Sequence, residues 1–286
     1  MIMRRIVFFC FCLFLFFSSY ASDKVKVACV GNSITYGTGI KDRDKDSYPS
    51  QLQCKLGAEY LVGNFGKPGA TLLNKGHRPY IEQEEYKNAL DFKADIVVIH
   101  LGVNDTDPRN WPDYRDDFVR DYISLINSFK GVNPEVRIII AGITPVWDRH
   151  PRFMSGTKVW QDDIRSKIGV VAEACGVELI DFYTPLHSYP FMFPDAIHPN
   201  EEGAAVLAQT VYSAITGNYG GLKVSDVFGD NMVLQRDMPF SLSGTSDAGD
   251  NIVIMIDGRK YEAVTGKDGC WSVDIEPLSA KRNIEV

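Results

Sequence analysis

The sequence predicts an α/β fold built on a parallel sheet, followed by a smaller β-rich unit, and three observations predict it. From residue 24 onward strand-like and helix-like segments alternate, the pattern of strands joined by helical crossovers. Two strand candidates, "DIVVIHLG" (95–102) and "VRIIIAGI" (136–143), are nearly continuous apolar runs, as strands buried on both faces are. Near residue 217 the pattern changes: "GNYGGLK" is glycine-rich, and no helical period follows it.

Taken in order, strands are expected at Val25–Val30, Tyr60–Phe65, Asp95–Leu101, Val136–Ile143 and Val177–Asp181. Helices are expected between and after them at Tyr48–Leu56, Tyr80–Leu90, Tyr114–Phe129, Lys158–Cys175 and Glu201–Ile215. Gly57 and Gly176 are placed to end helices, and Asn200-Glu201 to open one. Past residue 217, "NIVIMIDGRKYEAVTGKDGCWSVDI" gives short β runs separated by Asp257-Gly258 and Asp268-Gly269, both hairpin-turn signals. The expected organisation is a leader over 1–21, a first domain over 22–217 and a β-sandwich module over 218–286, which stops within a β-rich pattern and reads as incomplete.

The leader is expected because Arg4 and Arg5 precede the apolar run Ile6–Phe17, and Ser19-Tyr20-Ala21 supplies small residues for cleavage after Ala21. The run is short for a bilayer span, so an exported protein, periplasmic, extracellular or at the cell surface, is the expectation. The formal net charge is −7, and loss of residues 1–21 leaves 28 basic against 37 acidic residues, net −9. With no basic run, nucleic-acid binding is not indicated. Four cysteines remain outside the leader, Cys29, Cys54, Cys175 and Cys270, none in a C-x-x-C pair, so no zinc site or other metal centre is expected. Cys29, Cys54 and Cys175 fall in predicted elements and are expected as buried small hydrophobes.

Four polar stretches lie where an open α/β sheet presents its carboxyl ends, the usual place for a ligand. Ser33 follows the first strand in "GNSIT", "NFGKPGAT" (64–71) follows the second, "GVND" (102–105) follows the third, and "DAIHP" (195–199) precedes the last helix. Each has a plain structural reading: Ser33 as a helix N-cap, Gly66 and Gly69 as turn glycines, Asn104-Asp105 as a turn, His198 as a surface histidine. Together they supply a nucleophile, a base, an acid to orient the base, and oxyanion donors, which is what acyl transfer requires.

In order and spacing these four stretches resemble the blocks of the SGNH (GDSL-type) esterase/lipase family, over roughly residues 24–216. The resemblance implies a three-layer α/β/α, flavodoxin-like domain and a serine carboxylester hydrolase that needs no cofactor. It implies Ser33 as nucleophile, His198 as general base and Asp195 as the acid holding the imidazole. The oxyanion hole it implies comprises Ser33 N–H, Gly69 N–H and the Asn104 side-chain amide; counting from Asn64, the glycine is Gly69 rather than Gly66. Gly-Asn-Ser stands where the family has Gly-Asp-Ser, at a position that is neither nucleophile nor base. No G-x-S-x-G elbow is present, which argues against an α/β-hydrolase. Asn104-Asp105-Thr106 is also a glycosylation sequon, read as coincidence because a glycan there blocks the expected oxyanion hole.

Asn32, His100, Trp111 and Trp147 are the expected substrate contacts. His100 ends the third strand, where a core or wall histidine is the favoured reading and a substrate contact the alternative. Trp111 and Trp147 stand in "DPRNWPDY" and "VWDRHPRFMSG", loops on the same sheet edge that either cover the site or simply pack. Asp181 is expected to be structural. The stretches "KVSDVFGDNMVLQRDMP" and "GKDGCWSVDIEPL" are similar to the opening β-rich region of sialate O-acetylesterases. That similarity implies an O-acetylated glycan as partner, sialic acid first. A lysophospholipase or arylesterase, and a non-catalytic carbohydrate-binding protein, stay open at this point.

Overall fold

The computed structural model describes residues 23–151, 157–229 and 232–280; the leader expected over 1–21 lies outside them. A five-stranded parallel sheet runs in the order β2-β1-β3-β4-β5, with β1 at Val25–Gly31, β2 at Tyr60–Gly66, β3 at Ile96–His100, β4 at Arg137–Ala141 and β5 at Glu178–Ile180. All five residues of β3 are buried, which is why their sequence does not alternate.

The helices are α1 (Ser33–Tyr36), α2 (Arg43–Asp46), α3 (Tyr48–Leu56), α4 (Glu84–Asp91), α5 (Trp111–Tyr114), α6 (Phe118–Val132), α7 (Trp160–Cys175) and α8 (Glu201–Thr216). Helix α3 packs on α8, while α6 lies against α4 and α7, so the sheet is flanked by two helical layers. Two predicted helices begin later than the pattern suggested. Tyr80–Glu82 is a separate 3₁₀ turn, because Gln83 is extended (φ −84°, ψ 154°) before α4 starts. Trp111–Tyr114 is likewise a turn of its own, broken from α6 at Tyr114 (φ −123°, ψ 5°).

Cys29 is buried as expected, but Cys54 is exposed: Leu52 and Leu56, four apart, take the inner face of α3, and Cys54 points the other way. The four described cysteines are free thiols. Among the described residues no helix is long and apolar enough to cross a membrane.

Beyond α8 the chain forms two small antiparallel sheets. One has the order β10-β7-β6 and the other pairs β8 with β9, where β6 is Lys223–Val224, β7 Phe240–Thr245, β8 Asn251–Ile256, β9 Arg259–Val264 and β10 Cys270–Ile275. Strands β8 and β10 alternate exposed and buried residues, and Ile252, Ile254, Ile256, Trp271, Val273 and Ile275 share a second apolar core. Asp257 and Gly258 both have positive φ (49° and 78°), the turn that a tight hairpin needs. Asp268-Gly269 departs from the hairpin expectation: it leads from β9 into β10, which belongs to the other sheet.

The order 2-1-3-4-5 reverses direction between β1 and β3, so the loops leaving these two strands diverge and open a crevice at the sheet's carboxyl edge. Helix α1 is pressed into that edge. A Cβ on Gly31 would meet Thr35 Oγ1 at 2.1 Å, and one on Gly66 would meet Tyr36 N at 2.1 Å and Tyr36 Cα at 2.6 Å. The second clash is with backbone, which no rotamer change relieves. Gly66→Ala is therefore expected to lower stability by at least ~1–3 kcal/mol through overpacking. Chemical denaturation checks this, and an unchanged midpoint contradicts the close-packing account.

Candidate active site

The end of β1 delivers a serine because the chain turns sharply after Gly31. Asn32 caps α1, its Oδ1 accepting the Ile34 N–H at 2.9 Å, and this fixes Ser33 as the first helical residue. From beneath, Thr35 Oγ1 lies 3.3 Å from Tyr48 OH on α3. Ser33 is buried, with 8% of its surface left exposed.

Facing it is the loop before α8. Ser33 Oγ lies 2.8 Å from His198 Nε2, and His198 Nδ1 lies 2.5 Å from Asp195 Oδ2. Asp195 accepts only, so Nδ1 carries the proton and Nε2 is left as the acceptor for the serine O–H. The carboxylate also holds its own loop: Oδ1 accepts the His198 N–H at 2.7 Å and the Ile197 N–H at 3.0 Å. Burial pushes the Asp195 carboxyl up, and the bonds from His198 N–H, His198 Nδ1 and Ile197 N–H outweigh this, leaving it below its ordinary value. The turn requires Ala196 at φ 70°, a left-handed conformation that costs a non-glycine residue about 1–2 kcal/mol. Two contacts brace it: Trp147 N–H donates to Ala196 O at 3.1 Å, and Ala196 N–H donates to Phe193 O at 2.9 Å.

The second and third stretches are tied to each other. Lys67 N–H donates to Gly31 O at 2.9 Å, which holds the loop after β2 against the nucleophile turn. Gly69 follows at φ 80°, and the next residue, Ala70, accepts from Asn104 Nδ2 at 2.9 Å. The bond to Ala70 fixes the plane of the Asn104 amide. Asp105 completes the tie, its buried carboxylate accepting Leu72 N–H at 2.9 Å and Leu73 N–H at 2.8 Å. The loops that carry Gly69 and Asn104 are thereby tied to each other and, through Lys67 and Gly31, to the turn that carries Ser33.

Three of the four expected substrate contacts lie in the interior. Asn32 is spent on capping α1 and is fully buried. His100 is also fully buried; its Nε2 accepts from Thr144 N–H at 3.4 Å, its ring packs on Phe182, and burial pushes its pKa down to about 3. Trp111 is buried edge-on against Phe118, with ring centroids 5.4 Å apart. These three offer no surface to a substrate in this arrangement. Trp147 remains half-buried, packed at 4.6 Å on Phe193, and it braces the loop of Asp195 and His198. Arg149 adds to the brace by donating to Pro190 O at 2.9 Å and to Phe193 O. Asp181 accepts Tyr183 N–H at 2.7 Å and Thr184 N–H at 3.0 Å, which gives it a turn role. Among the described residues no group of three or more His, Cys, Asp or Glu side chains is placed to hold a metal ion.

A family model described as the GDSL-like Lipase/Acylhydrolase family matches residues 29–206. An acetylxylan esterase of Xylanibacter ruminicola is 37% identical over 214 residues, covering 68% of this chain and 43% of that protein. The chain thus spans less than half the length of that relative. Among solved structures, a carbohydrate acetylesterase from Sinorhizobium meliloti superposes with a TM-score of 0.54 at 16% identity, over 67% of this chain and 98% of that one. An aryl esterase of M. smegmatis gives 0.51 at 19% identity, over 66% and 98%. At such identities the structural likeness shows the fold alone.

Asp105 generates a prediction with a definite sign. Burial raises its pKa to about 6, against the lowering effect of the Leu73 and Leu72 N–H bonds. A folded-state pKa above the unfolded one makes the ionised form a liability, so its contribution to stability is greatest near pH 4 and declines as pH rises through 6. Asp105→Asn removes the titration and also one backbone acceptor. The stability advantage of wild type over Asp105→Asn is therefore expected to shrink between pH 4 and pH 7, by up to about 3 kcal/mol. Paired urea titrations at the two pH values measure it; a difference that does not change with pH contradicts the assignment.

Proposed function

The chain belongs to the GDSL-like lipase/acylhydrolase family, and on that premise we propose that it is a serine carboxylester hydrolase removing O-acetyl groups from carbohydrate. The observation that carries the reading is the hydrogen-bond chain Ser33–His198–Asp195, at 2.8 Å and 2.5 Å. The printed activity of the Xylanibacter ruminicola relative supports the carbohydrate acetyl ester as substrate class.

In this mechanism Ser33 Oγ gives its proton to His198 Nε2 and bonds to the acetyl carbon. The carbonyl oxygen takes up the negative charge and is met by Ser33 N–H, Gly69 N–H and Asn104 Nδ2. Asp195 holds the imidazolium that forms. As the tetrahedral centre collapses, the sugar oxygen departs with the proton from Nε2. Water then gives a proton to Nε2 and attacks the acetyl-serine; acetate leaves, and Oγ recovers its hydrogen. Each oxyanion donor in such a site is worth on the order of 10²–10³ in rate.

Sialic acid as the sugar is the finer form of the proposal. It rests on the similarity of the stretches from Lys223 and Gly266 to the opening of sialate O-acetylesterases. Export also belongs to the proposal, on the strength of Arg4, Arg5 and the apolar run after them.

Acetate release from acetylated xylan and from O-acetylated sialic acid, run beside a long-chain acyl ester, tests the reading. Ser33→Ala is expected to lose at least about 10⁴-fold in kcat, with little hydrolysis of the long-chain ester by wild type. Hydrolysis of the long-chain ester alone retains the nucleophile and removes the carbohydrate assignment, and full activity in Ser33→Ala removes the whole mechanism.

A further inference from the structure

Beside the site stands a cation whose charge the protein leaves uncompensated. Arg78 is exposed, and its Nη1 donates to Pro68 O at 2.9 Å. A Cβ on Gly69 would meet that same Nη1 at 3.2 Å, so the guanidinium lies on Gly69 itself. The segment bearing it is fixed: Thr71 N–H donates to Arg78 O at 2.9 Å, and Tyr80 N–H donates to Thr71 O at 2.9 Å. Cations on these loops and at the start of α6 each have a carboxylate: Lys67 pairs with Glu85 at 3.0 Å, Lys75 with Asp117 at 3.1 Å, Arg109 with Asp107 at 2.7 Å and Arg120 with Asp117 at 3.0 Å. Among the described residues no carboxylate lies within ion-pair distance of Arg78, in a chain that carries seven more acidic than basic side chains.

We propose that Arg78 recognises a carboxylate on the acetylated sugar, so that the preferred substrates are acetyl esters of acidic sugars. The inference rests on the acetylesterase reading above, because it takes Gly69 as the place where the ester carbonyl is held. A guanidinium has five N–H donors in a fixed fork; the bond to Pro68 uses one edge and leaves others to face a planar anion. In this proposal the acetyl carbonyl sits at Gly69 N–H and the carboxylate of the same sugar meets the guanidinium beside Gly69. A cation that served only as a prop for the Pro68–Gly69 turn has no use for the charge of its ligand, and that difference is measurable.

The test compares kcat/KM for acetate release from three substrates: an O-acetylated sialic acid, the same compound with its carboxyl group blocked as the methyl ester, and a neutral acetylated xyloside. Wild type is expected to favour the free acid over its methyl ester by about tenfold, the usual worth of a hydrogen bond to a charged group, with the ratio falling as salt is raised. Arg78→Gln is expected to bring that ratio to about one, and Arg78→Lys to keep part of it. A wild-type ratio of one overturns the proposal, as does an Arg78→Gln variant that loses activity on acid and methyl ester in equal proportion. In either case acetate release from the xyloside leaves the acetylesterase reading standing. Release from none of the three overturns both.

Discussion

A single helical turn holds the candidate nucleophile, and one turn has no stability of its own. Four residues make too few internal hydrogen bonds to offset the cost of ordering them, so the position of Ser33 is imposed from outside. The imposing contacts are at Gly31, where the Thr35 side chain packs on bare backbone, and at Gly66, where backbone meets α1 with no side chain between. The Asn32 cap and the Thr35–Tyr48 contact complete the seat. Remove the close approach and the edge of the sheet no longer defines where the hydroxyl stands.

Outward from that seat, the site is held by carboxylates bound to backbone N–H groups rather than to cations. Asp195 gathers Ile197 and His198, and Asp105 gathers Leu72 and Leu73. Asp107 accepts Arg109 N–H at 2.9 Å within its own turn as well, beside its ion pair with the Arg109 guanidinium. Hydrogen bonds of this kind fix the direction of a loop as well as its distance, which a salt bridge between long flexible side chains does poorly. Loops carrying chemistry need that rigidity, since they lack the repeating bonds of helices and strands.

Much of this was legible in the residues, and the exceptions have physical causes. Strands β3 and β4 announced themselves because burial on both faces removes the need to alternate. The four motif stretches fell at strand ends because the sheet edge is where polar residues have room. The starts of α4 at Glu84 and α6 at Phe118 were missed because apolar periodicity continues across a 3₁₀ turn even when the backbone breaks there. Asn32, His100 and Trp111 were named as substrate contacts from their place beside the motifs, whereas neighbouring layers cover all three, as the core reading of His100 had it. Trp147 is seen as a brace only when the partner loop of Phe193 and Ala196 is beside it. Asp105 stood in plain sight next to Asn104, but its N–H partners are 33 and 32 residues earlier in the chain. No local pattern could join them. Arg78 is hidden in the same way, because its significance depends on what lacks a side chain across from it.

The acid and the base come from one loop, three residues apart, and their pairing is settled by that loop's own turn. The serine belongs to the other end of the domain's chain, 165 residues from the histidine. The catalytic geometry therefore contains one local distance and one that spans the fold. The first is a property of a short peptide turn and survives any loosening of the sheet against its helices. The second exists only while the first strand and the last helix are docked. Activity in such an arrangement works as a gauge of tertiary closure: a molecule whose termini have drifted apart keeps an intact acid–base pair and has nothing for it to act upon.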